Sequence, residues 1–528
     1  MLIQSIWTDR RIAEGAETMG TSLLRMSVVA GLGTMLFVAS AVAQVPSVDG
    51  LFDEWSDDTQ IAADPAGDAA GAFDVTEVHA LSRGSVLFVH FDTTTLLNIQ
   101  SGPAEEGTLR LELLLPGLQQ LTIDFRTRLA YLDGNPNDGV AWPDLNYVSM
   151  TTYAADRFEL RLDLSLFGVD VGDSIEIDFS GSDELDEPAE FSFTQPADEL
   201  VIRSPQQESC TTFRIASLNT LFGGLLNPSQ APAIGRLVQA AAADIYCFQE
   251  QNSPADDIAD RLEELDPLQN GAPWSVEVSS DTVIASQQLT LPIPHDGDVA
   301  AIVDFGSDGA VGVFSIHPSC CGYIGNGQDL GRIAEMQAIV ATIEDLRDGA
   351  FGPELEPYRY VPIIIIGDWN LVGSRTPLDL VEDPDGPNHT HWLLRHLVGS
   401  DVFTWRSSNT SPGGFSPGLL DLLTYSTGLL HARNGFVLDS GTLTQDLLDE
   451  LQLDPADSAA SDHFMLVGDF ATLANGDLDG DGDTDAADLA QLLGSWGQCP
   501  LCPADLSGNG IVDATDLAFL LGNWGPCE

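Results

Sequence analysis

The chain contains no lysine. All 20 of its basic residues are arginines, set against 81 aspartates and glutamates, for a formal net charge of −61. A chain so poor in positive charge has no basic stripe with which to track a polynucleotide backbone by releasing counterions. Non-specific, high-affinity nucleic-acid binding is therefore excluded unless bound divalent ions alter the local field. Cysteine is also scarce, at 7 in 528 residues. The single Cys-x-x-Cys pair, Cys499 to Cys502, has no second pair and makes a weak case for zinc; disulfides are the simpler reading. The odd count leaves one thiol over, and Cys247, inside an apolar strand, is the candidate. After Ala43 no stretch is apolar and long enough to span a bilayer.

The N-terminus reads as an export signal. Leu23-Leu24-Arg25 precedes an apolar run from Met26 to Ala39, and Ala41-Val42-Ala43 supplies a small-x-small cleavage site. Residues 1–43 are expected to be removed, leaving Gln44 first. The acids of residues 1–18 are out of place ahead of a signal, so Met19 and Met26 are alternative starts. The competing reading, a membrane span, is countered by the shortness of the run and the lack of a stop-transfer charge. The expected location is secreted or at the surface of a bacterial cell. Acidity and cysteine use suit a cation-rich, oxidising setting.

Three segments follow. Over 46–200, short strands lie between Gly, Asp and Pro turns; Phe158 to Leu164 and Ser174 to Phe179 alternate apolar with polar. That pattern predicts an antiparallel β-sandwich with a binding or spacer role. The acidic, Pro-containing stretch from Asp183 to Gln207 looks like linker, and the boundary between the two domains is set at a linker of 201–211. Over 212–470, apolar strands (Phe213 to Leu218, Asp244 to Phe248, Ala310 to Ile316, Tyr360 to Ile366) alternate with helices, among them Leu330 to Leu346. Over 475–528 a 28-residue repeat appears: Asp477 to Gly482 leads to Asp488, and Asp505 to Gly510 leads to Asp516.

The chemistry sits at strand exits in the middle segment. Ile363-Ile364-Ile365-Ile366, a strand buried on both faces, runs into Gly367-Asp368-Trp369-Asn370. Asn219, Glu250 and His317 each follow an apolar strand, Asp421 lies in Leu420-Asp421-Leu422-Leu423, and Asp462-His463 precede another strand. Such repetition implies loops converging on one mouth. Carboxylates for Mg²⁺, neutral donors for phosphoryl oxygens and imidazoles for proton transfer are what phosphoester hydrolysis needs.

The ordered set Leu218-Asn219-Thr220, Phe248-Gln249-Glu250, Ser315-Ile316-His317, Gly367-Asp368-Trp369-Asn370, Leu420-Asp421-Leu422-Leu423 and Ser461-Asp462-His463 resembles the endonuclease/exonuclease/phosphatase superfamily. The resemblance implies a four-layer α/β sandwich of the deoxyribonuclease-like type and a Mg²⁺- or Mn²⁺-dependent phosphoesterase. It implies Glu250 as the principal metal carboxylate, with Asn219 and Asp462 beside it. Asp368 would orient or deprotonate the attacking water, and Asn370 would donate to the phosphoryl group. His463 would be a catalytic imidazole oriented by Asp421, and His317 a second histidine donating to the phosphate or leaving group. No acid to orient His317 is evident; Glu277 and Asp281 are weak candidates. His389 and His391, in a loop-like stretch, read as surface residues. Cys320-Cys321 reads as a structural bridge holding its loop, in preference to a nucleophile.

The tail carries oxygen ligands at the spacing that wraps Ca²⁺: Asp477, Asp479, Asp481, Asp483 and Asp488, then Asp505, Ser507, Asn509 and Asp516. Aspartate at the twelfth loop position and paired Leu-Leu-Gly-x-Trp helices resemble dockerin repeats, which implies a small helical module with a cohesin-like or cell-surface anchoring partner. The opening Val48 to Trp55 resembles carbohydrate-binding or DOMON-like modules. Competing with the enzyme reading are a catalytically inactive extracellular adhesion or scaffold protein and, more remotely, a polysaccharide-processing enzyme.

Overall fold

Alternation of side chains along each strand sorts the architecture into layers. In the computed structural model, which describes residues 46–103, 106–268, 271–382, 389–408 and 411–526, Ile364 and Ile366 join a core between two sheets. Their neighbours Ile363 and Ile365 pack against Met336, Ile339, Ile343 and Leu346 of the helix Gly327–Asp348. Phe213 and Ile215 likewise face the inter-sheet core, whereas Ala216 and Leu218 face the helix Ala231–Ala241. Helix, sheet, sheet and helix make four layers.

Each of these two sheets has six strands and is built about one parallel pair. In the first, Phe213–Asn219 runs parallel to Ile245–Gln249, joined through the helix Ala231–Ala241. In the second, Ala310–Ile316 runs parallel to Ile363–Asp368, joined through Gly327–Asp348. The flanking strands are antiparallel, including Asp421–Ser426, which pairs Asp421 with Asp368, and Met465–Thr472, which pairs with Phe213–Asn219. A parallel strand's C-terminal end and an antiparallel neighbour's N-terminal start share one edge of a sheet. Gly367 is required there: at φ +142 its backbone lies so close to the next strand that a Cβ would stand 2.3 Å from the Ile316 carbonyl oxygen.

Residues 60–192 form two antiparallel sheets of five and six strands. They close over a core containing Phe91, Phe125, Phe158 and Phe179. The first part of the stretch expected to be linker, residues 183–193, belongs to the sandwich, whereas 194–211 has almost no regular structure. Ala189–Ser192 is an edge strand, Leu185 and Phe193 are in the core, and the buried Asp183 accepts from the Val75 amide at 2.7 Å. An acidic, Pro-containing composition hid apolar residues too few to show a period.

A spacer role for the sandwich does not describe its packing. Val48, Phe88, Val148 and Met150 belong to the same continuous core as Phe213, Ile364 and Phe403. Arg161 pairs with Asp401, and Arg395 with Asp49 at 2.6 Å. The Asn98 side chain donates to the Val372 carbonyl at 3.0 Å and accepts from the Ile324 amide at 2.8 Å. The Val48–Trp55 segment is held by Glu159, which accepts from the Trp55 indole at 3.0 Å.

The tail holds two loop–helix units, Ala486–Gly494 and Ala514–Gly522, each capped by an aspartate, Asp485 and Asp513. They close on Leu478, Leu492, Val512 and Leu520. Cys499 and Cys502 are bonded to each other, which removes the zinc reading. Cys210 is also disulfide-bonded, and Cys247 is a buried free thiol. The expected signal, residues 1–43, and Cys527 lie outside the described residues. No helix among the described residues is long and apolar enough to cross a membrane.

Candidate active site

Strand parity delivers the first members of the site. Asn219 continues the inter-sheet register of Phe213 and Ile215, and Asp368 that of Ile364 and Ile366. Both therefore emerge between the sheets at one edge, where Asn219 Nδ2 donates to Asp368 Oδ2 at 3.2 Å. Asn219 also donates to Glu250 Oε1 at 3.2 Å, and the Phe222 amide to Glu250 Oε2 at 3.0 Å. Glu250 itself is in the left-handed region at φ +55, which breaks the alternation of the preceding strand.

Two imidazoles flank Asp368. His463 Nε2 lies 3.5 Å from Asp368 Oδ2, and His317 Nε2 lies 3.6 Å from the same oxygen. Each is backed by a second carboxylate on its other nitrogen: Asp421 at 2.8 Å from His463 Nδ1, and Asp281 at 3.0 Å from His317 Nδ1. Burial works against a charged His463, but Asp421 and Asp368 outweigh it and push the imidazole up to about 10. Burial also opposes a charged His317, and Asp281, Asp368 and Glu250 push it up to about 9. Burial raises Asp421 to about 6, although its contact with His463 favours the carboxylate. We assign the pair as imidazolium–carboxylate, because Asp368 adds a second negative charge beside the ring.

Of the two weak candidates for the acid behind His317, Asp281 is the one in contact, and Glu277 bonds Thr290 instead. Asp281 stands in the tight turn between Ser275–Ser279 and Thr282–Ser286, with no spacing that ties it to His317. Asp298 supports the same loop by accepting from the His317 amide at 2.9 Å. Replacing Asp281 with Asn removes the carboxylate that is hydrogen-bonded to His317 Nδ1 and helps hold the ring protonated. If protonated His317 is the active form, the alkaline limb of the pH profile of kcat/KM should move to lower pH by about one unit or more. An unmoved limb would separate Asp281 from the chemistry.

Asn370 does not continue the strand register of Asp368. The strand ends at Asp368, and Asn370 takes φ +49, its amide N–H donating to Asp368 Oδ1 at 2.9 Å. Its side-chain amide donates to the Pro318 carbonyl at 3.1 Å. Asn370 therefore lines the site from a turn that also ties down the His317 loop. Asp462 Oδ2 accepts from the Trp405 indole at 3.0 Å, while its Oδ1 is buried without a partner.

Cys320 and Cys321 are both free. Adjacent Cα atoms sit about 3.8 Å apart, below the usual disulfide span of about 4.4–6.8 Å. The loop is held instead by the buried Arg332, which donates to the carbonyls of Ser319 at 2.9 Å and Cys321 at 2.7 Å. The Cys321 contact and burial push the Cys320 thiol up to about 11, which disfavours a thiolate nucleophile. The loop expected around His389 is a strand, His389–His391, with His389 buried and bonded to Ser426 Oγ at 3.0 Å. Burial lowers both histidines, so they are neutral.

The residues fit a divalent cation. Glu250 and Asp368 converge on a single amide nitrogen, and Asp462 offers an orphaned buried oxygen nearby in the same pocket. Ligand atoms of Asp368, Asp421 and His463 also lie within 4.8 Å of one another. Asp421 is committed to the imidazole, so Glu250, Asn219 and Asp462, beside Asp368, make the better oxygen set. Above them lies a pocket of 670 Å³, lined by Glu250, His317, Asp368, Asn370, Asp462 and His463, and on the far wall by sandwich residues.

No protein-family model matches the chain, and no curated protein matches it. Among solved structures, it is similar to the human Nocturnin catalytic domain with bound sulfate, at 18% identity over 52% of this chain and 97% of that one, with a TM-score of 0.33. It is similar to D. rerio TDP2 complexed with a single-strand DNA product, at 14% identity, 52% and 100% coverage and a TM-score of 0.32. It is also similar to an endonuclease/exonuclease/phosphatase from Bacteroides vulgatus, at 10% identity, 49% and 98% coverage and a TM-score of 0.33. These neighbours are members of the endonuclease/exonuclease/phosphatase superfamily.

Proposed function

We propose that the chain is a divalent-metal-dependent phosphoesterase in which water displaces an ester oxygen in line at phosphorus. The observation that carries this reading is the paired arrangement about Asp368: two imidazoles reach one carboxylate oxygen, each backed by its own acid. Asp368 is placed to accept the proton of the attacking water. His463 and His317, held charged, donate to the phosphoryl oxygens and the departing oxygen. Asn370 fixes the loop that carries His317. Mg²⁺ or Mn²⁺ held by Glu250, Asn219 and Asp462 would stabilise negative charge developing on the phosphoryl group.

The test is turnover of bis(nitrophenyl) phosphate by the full chain with Mg²⁺ or Mn²⁺ and with a chelator. Chelator-insensitive turnover, or none with either ion, would sink the reading.

The tail supports a second role. Asp477, Asp479 and Asp488 bring ligand oxygens within 4.8 Å of one another, and Asp488 accepts from the Leu478 amide at 2.7 Å. In the other loop Asp505 accepts from Gly510 N at 2.6 Å and Asp516 from Ser507 N at 2.8 Å, with Ser507 and Asn509 between them. We read 475–528 as a dockerin-like Ca²⁺ module that anchors an exported enzyme to a cohesin-like or cell-surface partner. Titration calorimetry should detect Ca²⁺ binding that Asp477→Ala and Asp488→Ala weaken by about 10–100-fold. Heat release that is identical in the variants would refute the assignment.

A further inference from the structure

The far wall of the pocket belongs to the sandwich. The turn after the strand Gln120–Asp124 carries Arg126 and Arg128, and both line the cavity above Asp368 and His463. In a chain with four acids to each base, arginines are expected to find carboxylates. Among the described residues every arginine pairs with Asp or Glu except Arg126, Arg128, Arg203 and Arg347. Arg203 and Arg347 each donate to two backbone carbonyls, and Arg347, away from the pocket, keeps Nε and Nη2 buried without partners.

The pocket pair has neither a carboxylate nor two carbonyls, and it lines the cavity. Arg126 has a buried guanidinium nitrogen with no partner. Arg128 donates once, to the Gln100 carbonyl at 3.1 Å, and its Nε is buried without a partner. Arg128 is also held in the left-handed region at φ +56, with its guanidinium 4.2 Å from the centre of the Phe415 ring. Two like charges on one short turn repel, and each buried unpaired donor carries a desolvation cost. An anion between them would relieve both. The doubly charged phosphomonoester group matches two forked guanidiniums better than a singly charged carboxylate does.

We propose that Arg126 and Arg128 form a second phosphate subsite, so that the substrate is a small phosphoester bearing another phosphate group. This rests on the phosphoesterase reading for the reacting centre. The cavity's 670 Å³ suits a nucleotide-sized molecule, and the sandwich wall leaves the site as a pocket and not as an open groove for a duplex.

The test uses the full chain and two nitrophenyl phosphodiesters of thymidine, with and without an added phosphate on the other sugar hydroxyl. The added phosphate should lower KM by about tenfold in the parent chain. Arg126→Gln with Arg128→Gln should bring the ratio of the two KM values to about one, and the matching Lys pair should keep part of it. A parent chain with no preference, or a Gln pair that retains it, overturns the subsite. If neither ester is cleaved, the phosphoesterase reading falls, and calorimetry with inorganic pyrophosphate decides the subsite separately. Binding weakened in the Gln pair supports it, and binding equal in parent and Gln pair overturns it.

Discussion

Asp368→Asn is expected to lower kcat on a phosphodiester by about 10³-fold or more, because one substitution removes two functions. The first is the carboxylate that takes the water's proton. The second is the charge that both imidazoles feel: His317 and His463 are each raised in part by Asp368. With Asn in place, both rings lose an attractive partner, and the alkaline limb of the rate profile should move down as well. Residues acting as one unit lose activity non-additively. Asp368→Asn combined with His463→Ala should therefore cost little more than the worse single change. Additive losses would mean that the two groups work independently, against their 3.5 Å contact. Glu250→Ala should behave differently. It touches Asn219 and the Phe222 amide but no imidazole, so its main effect should be a rise in the Mg²⁺ concentration needed for half-maximal rate. Unchanged circular dichroism in each variant is the control for folding.

Much of this site is legible in the chain because it depends on local rules. An unbroken isoleucine run predicts a strand buried on both faces, and Ile363–Asp368 is such a strand. Polar residues at the exits of apolar strands predict a shared edge, and the two parallel pairs bring Asn219, Glu250, His317 and Asp368 to one edge. What could not be read depends on contacts between distant segments. Asp281 sits in an ordinary hairpin turn, and only sheet packing brings it to His317. Arg126 and Arg128 sit in a turn of the sandwich, separated from every catalytic motif by about a hundred residues or more. Nothing in their spacing marks them; the mark is the absence of a carboxylate partner, which exists only once the chain is folded. Cys320-Cys321 misled for a related reason, since the loop is clamped by Arg332, a helix residue whose burial is invisible in composition.

Removing the sandwich is expected to destabilise residues 208–470 by about 5 kcal/mol or more, which lowers the unfolding temperature by roughly 10–20 °C. Val48, Phe88, Val148 and Met150 are all buried in the core they share with the α/β sheets. Exposing the surfaces they cover costs about 1.5–3 kcal/mol for each large side chain, an upper figure given residual order in unfolded chains. Asp401 would lose Arg161, to which it is hydrogen-bonded at 2.9 Å, and a largely buried carboxylate without its partner costs about 3 kcal/mol more. Against a typical net stability of about 5–15 kcal/mol, these losses are decisive. The sandwich has its own phenylalanine core, so residues 46–200 should still unfold cooperatively alone. Calorimetric scans of the full chain and the two fragments check both statements. An α/β fragment that melts at the temperature of the full chain would show that the shared core contributes little, and that the sandwich shapes the pocket without supporting the fold.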